Sequence, residues 1–109
     1  MNINNRKIIC ITGTRADYPR VKSVLKEITL RPIFDLKIIV TGSHLLKEYG
    51  DSVQEIIDDG FHIDYKVPMF TSNYNSPVGM AKAAAKCTEG IADALEELNP
   101  DLVLLTVDR

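Results

Sequence analysis

Four short apolar runs separated by stretches of helical periodicity constrain this chain more than any other feature. Ile8-Ile9-Cys10-Ile11-Thr12 and Leu36-Lys37-Ile38-Ile39-Val40 are almost continuously apolar, the pattern of strands covered on both faces. Phe61 to Val67 alternates at Phe61, Ile63 and Tyr65 and reads as a third, weaker strand; Leu102-Val103-Leu104-Leu105 reads as a fourth. After the first strand, Val21, Val24, Leu25 and Ile28 share one helical face. Asp17 stands where an N-cap is expected, Pro19 fits the first turn, and Pro32 ends the helix. A second helix opens on overlapping capping-box spacings, Asp51 to Gln54 and Ser52 to Glu55, and stops at Gly60. The third opens on Ser76-Pro77, runs to Leu98 despite Gly79 and Gly90, and ends at Asn99-Pro100.

This β-α-β-α-β-α-β order predicts an α/β fold: parallel strands, right-handed crossovers and helices on both faces. The natural strand order is 3-2-1-4, the first portion of a Rossmann-like sheet. A chain of 109 residues has room for one small domain, burying roughly two-thirds of its unfolded surface. No repeat, low-complexity tract or linker divides it. The fourth strand would be an edge, and an edge this apolar is one that native domains usually cover. The expectation is that residues 1–109 form a partial N-terminal domain of a larger protein, prone to association through Leu102 to Leu105.

Thirteen Lys+Arg against fifteen Asp+Glu leave a net charge of −2, without the basic surplus of a phosphate-neutralising nucleic-acid binder. No apolar run approaches the ~20 residues of a membrane helix, and Met1 to Lys7 does not read as a signal peptide. A cytoplasmic protein without nucleic-acid or membrane partners is expected. Cys10 and Cys87 share no ligand spacing with His44 or His62, so no metal site is expected and both thiols read as reduced and buried. The polar stretch from Pro68 to Pro77 is long enough to suggest a functional loop.

In a doubly wound sheet, ligands bind beyond the carboxyl ends of the strands, where strand order reverses. Here that crevice lies between strands one and four. Gly13-Thr14-Arg15-Ala16-Asp17-Tyr18 follows the first, and Thr106-Val107-Asp108-Arg109 follows the fourth. The first helix's N-terminus there suits an anion, and Arg15 and Arg109 add guanidinium forks. Each has a plainer reading: Gly13 as a turn residue, Asp17 as a cap, Arg15 as a solvated surface charge and Arg109 as a disordered terminal residue. Neither GxGxxG nor a Walker lysine is present, which disfavours nicotinamide dinucleotides and P-loop chemistry.

The full set of strings is more specific. Thr12-Gly13-Thr14-Arg15-Ala16-Asp17-Tyr18, Thr41-Gly42-Ser43-His44-Leu45 with Glu48-Tyr49-Gly50, Asp59-Gly60-Phe61, and Asn99-Pro100-Asp101-Leu102-Val103 with Asp108-Arg109 closely resemble the UDP-N-acetylglucosamine 2-epimerase family, best its hydrolysing branch. The resemblance implies two Rossmann-like domains of the glycosyltransferase-B kind with a nucleotide sugar in the cleft, the C-terminal domain being absent here. It implies a parent enzyme that converts UDP-N-acetylglucosamine, or a diacetamido analogue, by elimination and then hydration. The products would be UDP and N-acetylmannosamine or its analogue, serving sialic-acid-type synthesis. It further implies a homo-oligomeric parent with no nicotinamide cofactor and no obligatory metal, and an inactive isolated chain.

By the same resemblance, Arg15 meets the phosphate-bearing end of the substrate from a substrate-binding loop that includes Gly13. Asp108 joins the catalytic acidic set, and Arg109 binds substrate, the pair matching the family's Gly-Asp-Arg motif. His44 falls in a loop that binds a second, activating nucleotide sugar in non-hydrolysing relatives; in a hydrolysing enzyme it is expected to hydrogen-bond its own backbone instead. Two departures stand out: Val107 replaces the motif glycine, and Pro19 stands where relatives often carry serine or glycine. The competing readings are a non-catalytic nucleotide- or phosphate-binding module, a structural subunit half, and a non-hydrolysing epimerase.

Overall fold

The computed structural model describes residues 5–14, 17–45, 52–70 and 75–105, without the side chain of Ser43. Four parallel strands form one sheet: β1 (Arg6–Thr12), β2 (Phe34–Thr41), β3 (Tyr65–Val67) and β4 (Leu102–Leu105), in the order β3-β2-β1-β4. The helices are α1 (Asp17–Thr29), α2 (Ser52–Asp58) and α3 (Pro77–Leu98), with a 3₁₀ turn at Gly42–Leu45 after β2. The expected order 3-2-1-4 is the observed one. β1 is the hub, pairing with β2 from Arg6↔Phe34 to Thr12↔Val40 and with β4 from Ile8↔Leu102 to Ile11↔Leu105.

Side chains alternate across β1 and β2 into two cores, as the strand period requires. Cys10, Ile38 and Val40 pack with Tyr18, Val21 and Leu25 of α1 and Ile56 of α2 on one face. Ile9 and Ile39 pack with Val67 and Ala94 on the other, beneath α3. Burial on both faces is why these two strands read as continuous apolar runs. β4 lies at the sheet edge and leaves Leu102, Val103 and Leu105 exposed.

Gly90 explains itself in the packing. A Cβ there would lie 2.5 Å from Val67 Cγ1, so its absence lets α3 approach β3 closely. Ser76 caps α3 as expected, its Oγ accepting from the Gly79 N–H at 2.9 Å, with Pro77 as the first helical residue. Asn99 closes it in the left-handed conformation at φ 48. Lys7 then ties α3 to the start of β1: its Nζ donates to the Leu98 carbonyl and its N–H to the Asp101 carboxylate, both at 2.7 Å.

Three local expectations are corrected. The third strand is shorter than Phe61 to Val67, because the Asp64 carboxylate takes the Ile38 N–H at 2.8 Å and regular pairing starts only at Tyr65. Phe61 and Ile63 instead pack into the α1/α2 core, Phe61 edge-on to Tyr18. Thr14 rather than Asp17 caps α1, its Oγ1 accepting from the Asp17 N–H at 3.1 Å. The Ser52 hydroxyl is engaged with His44, while Asp51 lies outside the described residues. Cys10 is fully buried, whereas Cys87 is only half-buried.

Candidate functional site

β1 and β4 are parallel neighbours, so their carboxyl ends lie side by side at the end of the sheet where α1 begins. Gly13 sits directly at the end of β1. Its φ lies outside the left-handed region, and a Cβ on it would meet Asp17 Oδ2 at 3.7 Å and Thr41 Cγ2 at 3.8 Å. Those are ordinary contacts, so the described packing does not require glycine here. The Asp17 carboxylate accepts from the Gly13 N–H at 3.3 Å. An anion at this helix start therefore meets a carboxylate, and its binding must draw on added cations. Arg15, Val107, Asp108 and Arg109 lie outside the described residues, as do Glu48, Tyr49 and Gly50.

The turn after β2 presses against the same loop. Gly42 has φ +62, and a Cβ there would fall 2.3 Å from the Gly13 carbonyl oxygen. His44 is 3% exposed. Its Nε2 lies 2.9 Å from Thr12 Oγ1 and its Nδ1 2.8 Å from Ser52 Oγ. The expectation that His44 bonds its own backbone is corrected: both ring nitrogens reach side chains of other elements. Burial lowers its pKa, and the nearby Asp17 carboxylate opposes that shift. The ring is accordingly neutral at neutral pH. Sequence reasoning missed Thr12 and Ser52 as its partners; the available signal was a hydroxyl residue at each adjoining element end.

Behind the crevice, burial and, to a lesser degree, Asp17 push the Cys10 thiol up to about 11, which removes it as a nucleophile at neutral pH. Tyr18 donates to Asp59 Oδ2 at 2.6 Å, and Lys22 pairs with the same oxygen at 3.0 Å, fastening α1 to the end of α2. Among the described residues, no three His, Cys, Asp or Glu side chains are grouped to hold a metal ion. No helix among them is long and apolar enough to cross a membrane.

A parallel 3-2-1-4 sheet with helices on both faces and its crevice beyond β1 and β4 defines a Rossmann-like α/β domain. The family model for UDP-N-acetylglucosamine 2-epimerase matches residues 26–109. The chain belongs to the UDP-N-acetylglucosamine 2-epimerase family. It is 43% identical over 104 residues to the UDP-N,N'-diacetylbacillosamine 2-epimerase (hydrolyzing) of Legionella pneumophila, covering 95% of this chain and 27% of that protein. It is 33% identical over 104 residues to the UDP-N-acetylglucosamine 2-epimerase of Neisseria meningitidis serogroup B, covering 95% and 26%. The crystal structure of UDP-GlcNAc 2-epimerase from Neisseria meningitidis bound to UDP-GlcNAc superimposes with a TM-score of 0.72 at 22% identity, covering 94% of this chain and 26% of that one. The structural likeness concerns the fold. The chain spans about a quarter of the length of the relatives it matches.

Proposed function

We propose that this chain is the N-terminal portion of a hydrolysing UDP-sugar 2-epimerase. The observation that carries the reading is the 43% identity to a relative named as a hydrolyzing 2-epimerase, within a family match over residues 26–109. The substrate is a UDP-activated 2-acetamido sugar, and the same relative favours a 2,4-diacetamido sugar over N-acetylglucosamine. A base removes the proton at C2 while UDP leaves C1, and water adds to the glycal to release a free manno-configured sugar for sialic-acid-type synthesis.

Such chemistry needs a positioned carboxylate for a weakly acidic carbon and cations for the departing diphosphate. Asp108 contributes to the first demand, and Arg15 and Arg109 serve the second. Gly13 admits the substrate close to the backbone, a role supported by the absence of any local packing demand for glycine. The enzyme works as a cytoplasmic homo-oligomer without nicotinamide or metal. The isolated chain does not turn over substrate, because half a cleft holds one end of it.

Incubation of the full-length protein with UDP-N-acetylglucosamine and, separately, UDP-N,N'-diacetylbacillosamine tests the reading. Free sugar and UDP are expected, faster from the diacetamido substrate. Epimerised UDP-sugar without free sugar would move the protein to the non-hydrolysing reaction, and no turnover of either would overturn the proposal. Arg15→Ala should weaken UDP binding by roughly tenfold or more, the loss of a charge-assisted contact. Unchanged affinity by calorimetry would remove the nucleotide from this loop.

A further inference from the structure

The ends of three elements meet at His44. Thr12 closes β1, His44 lies in the turn after β2, and Ser52 opens α2. A neutral imidazole carries one donor and one acceptor, and each hydroxyl both gives and takes, so the Thr12–His44–Ser52 chain closes in either tautomer. Two residues before the ring, Gly42 rests against the Gly13 carbonyl with no room for a Cβ. One turn therefore holds residues 12 and 13 by both side chain and backbone, immediately ahead of Arg15.

Apolar packing fills space, whereas a buried ring with both nitrogens engaged also fixes direction. Protonation would place a charge in a buried site, so burial keeps the ring neutral, with the Asp17 carboxylate opposing. The ring is almost fully enclosed, and both of its polar atoms are satisfied within the chain.

We infer that His44 is a positioning residue: through Thr12 it fixes the end of β1 and Gly13, where the proposed substrate-binding loop begins, and so governs UDP-sugar binding without touching the sugar nucleotide. The inference rests on the substrate site proposed above. A tie of this kind resembles the outer partners that orient ligand-binding groups at other sites.

Steady-state kinetics of the full-length protein with a UDP-sugar test it. Thr12→Val keeps the side-chain shape and removes the hydroxyl; its KM should rise about tenfold, with kcat changed by less than about twofold. His44→Gln should behave similarly, and Thr12→Ser should restore the wild-type KM. Val67→Ala, on the opposite face of the sheet, should leave KM unchanged while lowering Tm. Unchanged KM in both Thr12→Val and His44→Gln would overturn the inference, as would an equal rise in Val67→Ala. So would a His44→Gln enzyme that keeps its KM and loses only activation by added UDP-N-acetylglucosamine.

If the wild type turns over no UDP-sugar, the functional proposal fails, and amide NMR of this chain still decides the positioning role. Thr12→Val should shift the Gly13 and Thr14 amides more than Val67→Ala does. Unmoved Gly13 and Thr14 resonances would refute it.

Discussion

Gly42→Ala isolates the contact between the two crevice loops. Two penalties act at this position. An alanine at φ +62 occupies the left-handed region, costing about 1–2 kcal/mol. Its Cβ would also sit 2.3 Å from the Gly13 carbonyl oxygen, where backbone must move to relieve it, and overpacking of this kind costs about 1–3 kcal/mol. Together they predict a loss of about 2–5 kcal/mol, or roughly 10–20 °C in Tm for a domain of this size. Gly60→Ala is the control: Gly60 also has positive φ, at +96, but nothing lies within 4 Å of its Cβ position. It should suffer the conformational penalty alone. Urea and thermal unfolding of the two variants measure the difference. Equal midpoints would refute the steric argument and leave Gly42 as a turn residue only.

Gly90→Ala should destabilise the chain, since the clash with Val67 Cγ1 outweighs the roughly 1 kcal/mol gained in helix propensity. In a Val67→Ala background the same change should become stabilising, and an unchanged sign in the double-mutant cycle would refute the contact. Tyr18→Phe should lower Tm and move the Asp59 carboxyl back up, because the Tyr18 hydroxyl, ahead of Lys22, holds it below its ordinary value. NMR titration of Asp59 checks this, and an unmoved titration would refute it. The lowered His44 pKa means the unfolded chain binds the proton more tightly. His44 should therefore contribute a loss of stability as pH falls below about 6.5 and none well above it. Unfolding at several pH values should show a shallower dependence in His44→Gln; an identical slope would refute it. Gly13→Ala should unfold at nearly the wild-type midpoint while weakening substrate binding in the full-length protein, and a large fall in Tm would refute the packing argument.

The strand order was legible because the central residues of β1 and β2 are buried on both faces, which makes them almost continuously apolar. β4 showed the same composition although three of its four residues are exposed, so apolar character alone did not report burial. The extent of β3 was illegible for a different reason. Alternation at Phe61, Ile63 and Tyr65 fits a strand, but Phe61 and Ile63 serve a core that a non-strand segment reaches equally well. Capping was blurred because Thr14 and Asp17 are both competent caps at neighbouring positions. The His44 tie was hidden by distance: it joins residues 32 and 8 positions away, and no periodicity links a lone polar residue to partners on other elements. Gly13 and His44 could be located from their places at strand ends, but the distinction between a glycine with space around it and a histidine fully engaged is tertiary.

The strap formed by Lys7 and Asp101 spans 94 residues of sequence, whereas the link from Ile38 to Asp64 spans 26. That disparity orders assembly in time. Loop closure favours the shorter spans, which predicts that β1, β2 and β3 associate before β4 arrives. During synthesis at about 5–20 residues per second, β4 follows β3 by roughly 2–7 s. Throughout that interval the outer edge of β1 has no partner, although β1 becomes an interior strand of the finished sheet. Lys7 is part of β1, its N–H bonded on the β4 side to the Asp101 carboxylate in the folded chain, and a charged residue on an unpaired edge disfavours pairing with another chain. The residue that anchors α3 is thus also of the kind that guards an edge while it waits for its partner strand.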